Sequence, residues 1–184
     1  MNLAIIGATG LVGEEILKVL SQRNIQLRNL ILVASKKSLG KVISFQKKNF
    51  KLISIEECLE QSIDVAIFSA GKDISLKWAP IFSGKDITVI DNSSAWRMDD
   101  RKKLIIPEIN GNELCENDKI IANPNCSTIQ MLIALAPLHK KYGITRIIVS
   151  TYQSVTGTGR IALNQLNNEY NKIKGDMAYN YQIH

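Results

Sequence analysis

The stretch Ile5-Ile6-Gly7-Ala8-Thr9-Gly10-Leu11-Val12-Gly13 decides the fold of this chain. Its three evenly spaced glycines separate an apolar run that predicts a strand from an amphipathic stretch that predicts a helix. Without side chains, two glycines let the backbone turn beside a pyrophosphate, and the third lets the helix approach the strand. A tight glycine turn without a ligand is the alternative interpretation. The residues expected to bind a dinucleotide here are Gly7, Thr9, Gly10, Leu11, Val12 and Gly13.

Short runs rich in Val and Ile alternate with amphipathic stretches along the chain, which is typical of βα units around a buried sheet. We predict an α/β fold with a Rossmann-like, doubly wound, mostly parallel sheet at residues 1–125. Residues 126–184 are expected to begin an incomplete α+β catalytic and dimerisation domain. The predicted strands are Asn2 to Ile6, Leu30 to Ala34, Asp64 to Ser69, Thr88 to Asp91, Lys119 to Ala122 and Ile144 to Tyr152, and the predicted helices are Gly10 to Gln22, Ile74 to Ser83, Ser127 to Tyr142 and Arg160 to Lys172.

Composition narrows the class of partner. Of 184 residues, 45% are hydrophobic, which suffices for one ordinary core. The formal net charge of +6 is scattered, and the longest basic run, Arg101-Lys102-Lys103, has no aromatic residues interleaved for base stacking. An anionic small molecule is therefore favoured over a nucleic acid or a membrane. Met1 leads directly into the first strand without a signal peptide, so we expect a cytoplasmic protein.

The three cysteines, Cys58, Cys115 and Cys126, are odd in number and widely spaced. This argues against a disulfide framework and against a zinc site, so we expect no metal. Most lone cysteines in cytosolic proteins are small buried hydrophobes, and we expect Cys58 and Cys115 to be of this kind.

The end of the second predicted strand bears on the choice of cofactor. An NAD site would carry an acidic residue there to bind the ribose diol. This chain has Ser35-Lys36-Lys37-Ser38 instead, whose hydroxyls and ammonium groups suit an additional phosphate and favour NADP. An ordinary solvated lysine pair is the alternative. Ser69-Ala70-Gly71 lies at the carboxyl end of the third predicted strand and would line the nicotinamide side of the cleft, unless it is simply a loop.

Cys126 differs from the other cysteines because it lies at a predicted strand-to-helix turn, after Asn123-Pro124-Asn125. A helix N-terminus favours the thiolate, which attacks carbonyl carbon, and its N–H groups stabilise a developing oxyanion. A cysteine nucleophile beside a nicotinamide is the combination of an acylating aldehyde dehydrogenase, in which hydride transfer interconverts a thiohemiacetal and a thioester.

Seven segments stand out together: Gly7 to Gly13, Ala34 to Gly40, Ser69 to Gly71, Asp91 to Met98, Ile106 to Asn110, Ala122 to Thr128 and Ser150 to Gln153. In this order they resemble the aspartate-semialdehyde dehydrogenase family. The resemblance implies reduction of β-aspartyl phosphate by NADPH to aspartate semialdehyde and phosphate, on the route to lysine, threonine and methionine.

By match to the family motifs, Cys126 resembles the acyl-accepting nucleophile, Asn125 its neighbour in the site, and Gln153 the amide that orients the acyl-enzyme. Arg97 resembles the guanidinium that binds the substrate phosphate. Without the resemblance, a surface ion pair for Arg97 and a strand-end position for Gln153 would be the ordinary interpretations. The match also places Asn92 and Ser93 at the cofactor.

Family members are about twice as long, and they draw a histidine base, a carboxylate-binding arginine and most of a homodimer or tetramer interface from their second half. His139 and His184 receive no role, and we interpret the end of the chain as an interruption. We therefore expect little activity from this chain alone. N-acetyl-γ-glutamyl-phosphate reductase, which shares the fold and cysteine chemistry, and a non-catalytic NADP-binding remnant are the alternatives.

Overall fold

The computed structural model describes residues 1–184, which form six helices and eight strands. The strands are β1 (Asn2–Ile6), β2 (Asn29–Val33), β3 (Val42–Phe45), β4 (Lys48–Lys51), β5 (Val65–Phe68), β6 (Thr88–Asp91), β7 (Lys103–Leu104) and β8 (Ile120–Ala122). The helices are α1 (Leu11–Gln22), α2 (Ile55–Leu59), α3 (Lys72–Gly84), α4 (Pro107–Asn110), α5 (Cys126–Tyr142) and α6 (Arg160–Tyr170). Short 3-10 turns lie at Lys36–Ser38, Gly111–Glu113 and Val155–Thr158.

Six strands form one sheet in the order β2-β1-β5-β6-β8-β7, and every neighbouring pair is parallel. The strand β1, which lies between β2 and β5, is buried along its whole length. Because side chains of a strand alternate between the two faces, Ile6 belongs to the core cluster that contains Phe82 of α3. Ile5 belongs to the second cluster, with Leu17 of α1. Helices therefore cover both faces of the sheet, as predicted.

The chain runs from β1 to β2 on one side and then reaches β5 on the other side of β1. At such a reversal the loops after the two strands diverge and leave a crevice at their carboxyl ends. Here the crevice lies between Gly7, after β1, and Ser69, after β5, whose amide donates to the carbonyl of Ile6 at 2.8 Å. The predicted Rossmann-like fold is confirmed, and the five strands and four helices predicted at these places lie within two residues of their expected bounds.

The prediction of a strand at Ile144 to Tyr152 is wrong, because these residues pair with no other strand. A strand is stable only when a neighbour satisfies its N–H and C=O groups, and no other part of the chain lies beside this segment as a strand. Its apolar side chains are accordingly exposed, Ile148 to 79% and Tyr152 to 99%. The β-branched residues of this segment favour a strand, but none of the described strands pairs with it.

Several short elements have no clear signal in the sequence. The hairpin β3–β4 turns at Gln46 and Lys47, which have φ angles of 47° and 63°. Asn and Gly usually occupy such left-handed turn positions, so this pair does not predict a hairpin. The short elements α2, α4 and β7 are also absent from the sequence-based prediction, because none is long enough to show periodicity.

The two cysteines expected in the core differ. Cys58 is fully buried as predicted, and burial raises the pKa of its thiol from 9.0 to about 12. The expectation for Cys115 is wrong, because this residue is exposed in the loop before β8. Its thiol donates to the Asp118 carboxylate at 3.0 Å, and this hydrogen bond raises the pKa of Cys115.

The boundary predicted at residue 125 remains a prediction. Only Ala162 and Gln165, of 35 buried residues, lie beyond Cys126.

No helix combines the length and the hydropathy that a membrane span requires.

Candidate active site

The glycine turn after β1 is a close-packed junction. Gly7 has a φ of 93°, and a Cβ added there would lie 2.4 Å from the carbonyl oxygen of Ser69. A Cβ on Gly13 would lie 2.3 Å from the carbonyl oxygen of Gly7. Both distances are far inside van der Waals contact, so only glycine lets β1, the loop after β5 and α1 come together. The first and third glycines thus bring the crevice walls close to each other.

The N-terminus of α1 presents free hydrogen-bond donors to the crevice. Gly10 is the N-cap residue and offers no side-chain oxygen to the helix. The backbone N–H groups of Leu11 and Val12 have no hydrogen-bond partner in the chain, and both residues line the crevice. Free N–H groups at the positive end of a helix dipole form an anion site, and a pyrophosphate fits this chemistry.

We call the crevice the dinucleotide cleft, a cavity of about 330 Å³. Its walls come from residues before and after Cys126: the loops after β1, β5 and β6, and the turn that leads into α6. The lining residues are Gly10, Leu11, Val12, Ser69, Gly71, Asn92, Ser93, Thr156, Gly157, Thr158, Gly159 and Arg160. Seven of the residues predicted to bind the cofactor are therefore brought together in it. Ala70 lies between two of them in the chain, and Thr9 lies beside Gly10 without lining the cleft.

The residues Ser35 to Ser38, predicted to recognise the cofactor, lie outside the dinucleotide cleft. They follow β2, whose last residue, Val33, accepts hydrogen bonds from the amides of both Gly7 and Ala8 at 3.0 Å. The serine–lysine segment begins at Ser35, two residues after Val33, and Val33 is hydrogen-bonded to the glycine turn. Lys36 and Lys37 are exposed, and neither forms an ion pair within the chain.

Cys126 lies at the helix N-terminus, as predicted, and is the first residue of α5, one residue before the predicted start at Ser127. The side chain of Asn125 caps this helix and accepts hydrogen bonds from the backbone amides of Ser127 and Thr128 at 3.1 and 3.4 Å. The Cys126 side chain is exposed rather than packed in the core. The amide nitrogen of Gln153 lies 3.7 Å from its sulfur, so the fold brings together two predicted catalytic residues 27 positions apart.

The thiol pocket, a cavity of about 270 Å³, lies beside the sulfur of Cys126. Its lining residues are Asn125, Cys126, Gln153, Ser154, Val155, Gly157, Thr158 and Tyr179. Gly157 and Thr158 line the dinucleotide cleft as well. The 3-10 turn at Val155–Thr158 is therefore a wall with a cleft on one side and the candidate nucleophile on the other.

Arg97, the predicted phosphate ligand, has two backbone partners. Its Nε donates to the carbonyl oxygen of Asn123 at 2.9 Å, and its Nη2 donates to that of Asn92 at 3.2 Å. The side-chain amide of Asn123 also donates to the Asn92 side chain at 2.7 Å. Arg97 forms no ion pair and lines neither the cleft nor the thiol pocket. It joins the loop after β6 to the loop that leads to Cys126.

Asp91 and Ser93 organise the loop after β6. Asp91 is fully buried, and its Oδ2 accepts a hydrogen bond from the Ser93 hydroxyl at 2.7 Å. The same hydroxyl accepts from the amide of Ala95 at 3.1 Å. These bonds fix the position of Ser93 in the wall of the dinucleotide cleft.

Sequence reasoning missed the second part of the cleft wall, Thr156 to Arg160, and Tyr179 of the thiol pocket. The glycines in Thr156-Gly157-Thr158-Gly159-Arg160 are the signal that could have indicated a close backbone approach to a ligand. Tyr179 has no signal, because a fold-dependent contact brings it there: its hydroxyl lies within hydrogen-bond distance of that of Thr158.

The parallel sheet, the glycine turn and the cleft at the reversal of strand order define a dinucleotide-binding protein of the Rossmann class. The family model for the semialdehyde dehydrogenase NAD-binding domain matches residues 2–117, and the chain belongs to this family. The exposed cysteine pocket adjoins that domain.

The relatives and solved structures that resemble this chain include several aspartate-semialdehyde dehydrogenases. The aspartate-semialdehyde dehydrogenase of Aquifex aeolicus is 49% identical over 171 residues, 91% of this chain and 50% of that protein. The crystal structure of aspartate semialdehyde dehydrogenase II from Vibrio cholerae matches with a TM-score of 0.89 and 42% identity, over 99% of this chain and 56% of that one. The same enzyme complexed with ASA matches with a TM-score of 0.88. This chain spans about half the length of the curated relatives it matches.

Proposed function

We propose that this chain is the cofactor- and thiol-bearing half of an NADP-dependent aspartate-semialdehyde dehydrogenase. The observation that carries the proposal is the turn at Val155–Thr158, because Gly157 and Thr158 line both the dinucleotide cleft and the thiol pocket. A carbon bound to the sulfur of Cys126 would lie next to the cleft that receives the nicotinamide. Acyl transfer and hydride transfer could then take place at one carbon.

The proposed chemistry proceeds in two steps, written here toward the acyl phosphate. The thiol of Cys126 would add to the aldehyde carbon of aspartate semialdehyde and form a thiohemiacetal. A dinucleotide held in the cleft would supply the hydride acceptor, so that loss of a hydride and a proton from this adduct leaves a thioester. A phosphate oxygen then attacks the thioester carbonyl, forms β-aspartyl phosphate and frees the thiolate. The biosynthetic direction reverses these steps.

Residues around Cys126 suit this chemistry. Exposure of the sulfur permits attack, and the backbone N–H of Cys126, which Asn125 does not cap, is free to stabilise an oxyanion. Gln153 is a neutral amide 3.7 Å from the sulfur, so it can orient a carbonyl there without a charge that competes with the thiolate. Asn125 fixes the start of the helix and thereby positions the cysteine.

The proposed role of Arg97 is to bind the phosphate that enters or leaves. Two carbonyl contacts hold the guanidinium between the loops after β6 and β8. Nη1 forms no hydrogen bond within the chain, which leaves N–H donors for an oxyanion. Binding of phosphate would then use the side of Arg97 opposite to its structural contacts.

The preference for NADP rests on the segment after β2. Lys36 and Lys37 are exposed and have no carboxylate partner, so their charges are available to a 2′-phosphate. Neither Ser35 nor Ser38 adds a negative charge at this strand end. Titration of the chain with NADP and NAD tests the preference: replacing both lysines by Gln should weaken NADP binding and leave NAD binding unchanged. Equal losses for both dinucleotides would contradict it.

We propose that this chain alone turns over slowly. No histidine lines the thiol pocket, and His139 accepts a hydrogen bond from the Ile144 amide at the end of α5. Without a positioned base, proton transfer loses about 10²- to 10⁴-fold. The test is a steady-state assay of the purified chain with NADP, phosphate and aspartate semialdehyde. A rate equal to that of an intact relative, such as the Vibrio cholerae enzyme, would overturn this part of the proposal.

A homodimeric or tetrameric assembly and a cytoplasmic location complete the proposal. The three cysteines are unpaired, which suits a reducing compartment. Analytical ultracentrifugation of the chain tests the assembly, and N-acetyl-γ-glutamyl semialdehyde in the same activity assay tests the related reductase reaction.

A further inference from the structure

Arg160 is the charged residue of the dinucleotide cleft. It is the first residue of α6, and the other eleven residues that line the cleft are uncharged. A dinucleotide carries negative charge on its pyrophosphate, so a single cation in an otherwise neutral cleft is the natural electrostatic partner. The resemblance did not point to this position.

The contacts of Arg160 direct its guanidinium to the phosphate-binding end of the cleft. Its Nη2 donates to the Glu14 carboxylate at 2.7 Å and approaches the carbonyl oxygen of Thr9 at 3.4 Å. Thr9 belongs to the glycine turn, and Glu14 lies in the first turn of α1. Leu11 and Val12, whose free N–H groups form the anion site described above, line the same cleft as Arg160.

The pair between Arg160 and Glu14 is easily exchanged. The two side chains are 50% and 55% exposed, and an ion pair in that environment contributes little to stability. A pyrophosphate at the start of α1 would offer the guanidinium more oxygen acceptors than the single carboxylate does. The cost of leaving Glu14 is therefore small compared with the gain of a phosphate contact.

We propose that Arg160 binds the pyrophosphate of the dinucleotide and exchanges its Glu14 partner for it when the cofactor enters. This inference rests on the proposed function, because it concerns the same cofactor. Arg160 lies two residues after the wall between the cleft and the thiol pocket. Its contact with the pyrophosphate therefore anchors that wall to the bound cofactor.

The test compares three variants by titrating the 184-residue chain with NADP and NAD. R160Q should weaken binding about tenfold, R160K less, and E14Q should tighten it about twofold because the competing carboxylate is gone. The factor for R160Q should be the same for NADP and NAD, because both carry the pyrophosphate. Thermal unfolding of each variant checks that it remains folded.

The outcomes separate this inference from the proposed function. Binding to neither dinucleotide by the unmodified chain would overturn both. Binding by the unmodified chain with no change in R160Q would overturn only the inference, and so would a loss of NADP but not NAD, which would place the guanidinium at the 2′-phosphate. If Arg160 served only as a structural link to α1, E14Q would weaken binding as R160Q does. E14Q therefore decides the question even if R160Q fails to fold.

Discussion

The two parts of the chain on either side of Cys126 are stabilised in different ways. Residues 1–125 contain all but two of the 35 buried residues and form two apolar clusters around the sheet. In residues 126–184, the helix α5 has no buried residue at all. The first part thus has its own core. The second part carries the candidate nucleophile on an exposed framework.

Polar contacts take the place of a core in the second part. The buried side chain of Gln165 accepts hydrogen bonds from the amides of Ala178 and Tyr179 at 2.7 and 2.9 Å, and donates to the carbonyl of Tyr181 at 2.9 Å. These bonds hold the carboxyl-terminal residues against α6 and bring Tyr179 to the thiol pocket. Burial therefore positions the cofactor site, whereas hydrogen bonds position one wall of the thiol pocket.

The largest expected difference between the two parts is in cysteine reactivity. We expect iodoacetamide to label Cys58 at least about a thousandfold more slowly than Cys126 at neutral pH. Raising the pKa of Cys58 from 9.0 to about 12 lowers its thiolate fraction by that factor, and burial blocks access. Peptide mass spectrometry of a labelling time course measures both rates, with labelling in denaturant as the control. Similar rates in the folded protein would contradict the account of the core.

Core substitutions test the same contrast through stability. Phe68 is 1% exposed and packs edge to face against the Phe82 ring, with 5.2 Å between the ring centroids. Phe68→Ala should therefore lower the free energy of unfolding by about 3–5 kcal/mol. The matched control is Leu138→Ala in α5, where the side chain is 48% exposed and the loss should be under about 1 kcal/mol. Urea denaturation measures both. Comparable losses would show that α5 belongs to the same core.

Two glycine substitutions sharpen the comparison within the first part. Gly13→Ala should destabilise the chain by about 1–3 kcal/mol and weaken dinucleotide binding, because the new Cβ would meet the Gly7 carbonyl at 2.3 Å. Gly84→Ala, at the end of α3, meets nothing within 4 Å and should stabilise by about 0.4–1 kcal/mol. Thermal unfolding measures the stability of both variants, and a titration with NADP measures their dinucleotide binding. Normal binding in a stable Gly13→Ala variant would contradict the proposed turn.

The smallest effect is expected at Glu169, in the second part. Desolvation alone would raise its pKa, but hydrogen bonds from Gln165 and from the amides of Ile183 and His184 hold the pKa below its ordinary value of 4.5. The contribution of the ionised Glu169 side chain to folding stability is therefore complete above pH 4.5. It is lost as the pH falls through the lowered pKa of Glu169. Hydrogen exchange of the Ile183 and His184 amides should be faster at low pH after correction for its intrinsic pH dependence. E169Q should show this faster exchange already at neutral pH.

Local signals predicted the cofactor half well because its strands are continuous apolar runs and its turn needs glycine. The start of α5 at Cys126 was also predictable, since Asn125 is a typical capping residue. Features that depend on distant parts of the chain were not. Ile144 to Tyr152 has a strand composition but no partner, and Arg160 reaches Glu14 across 146 positions. No local pattern contains either fact.

The central claim is that the carbon bound to Cys126 receives or gives a hydride in the adjoining cleft. The most direct measurement is a single turnover of the chain with NADP and aspartate semialdehyde, with phosphate omitted. We expect slow formation of one NADPH and one β-aspartyl thioester on Cys126 per chain, and neither product in C126S, while C115S behaves as the unmodified chain. NADPH formation by C126S, or an acyl group on another residue, would contradict it.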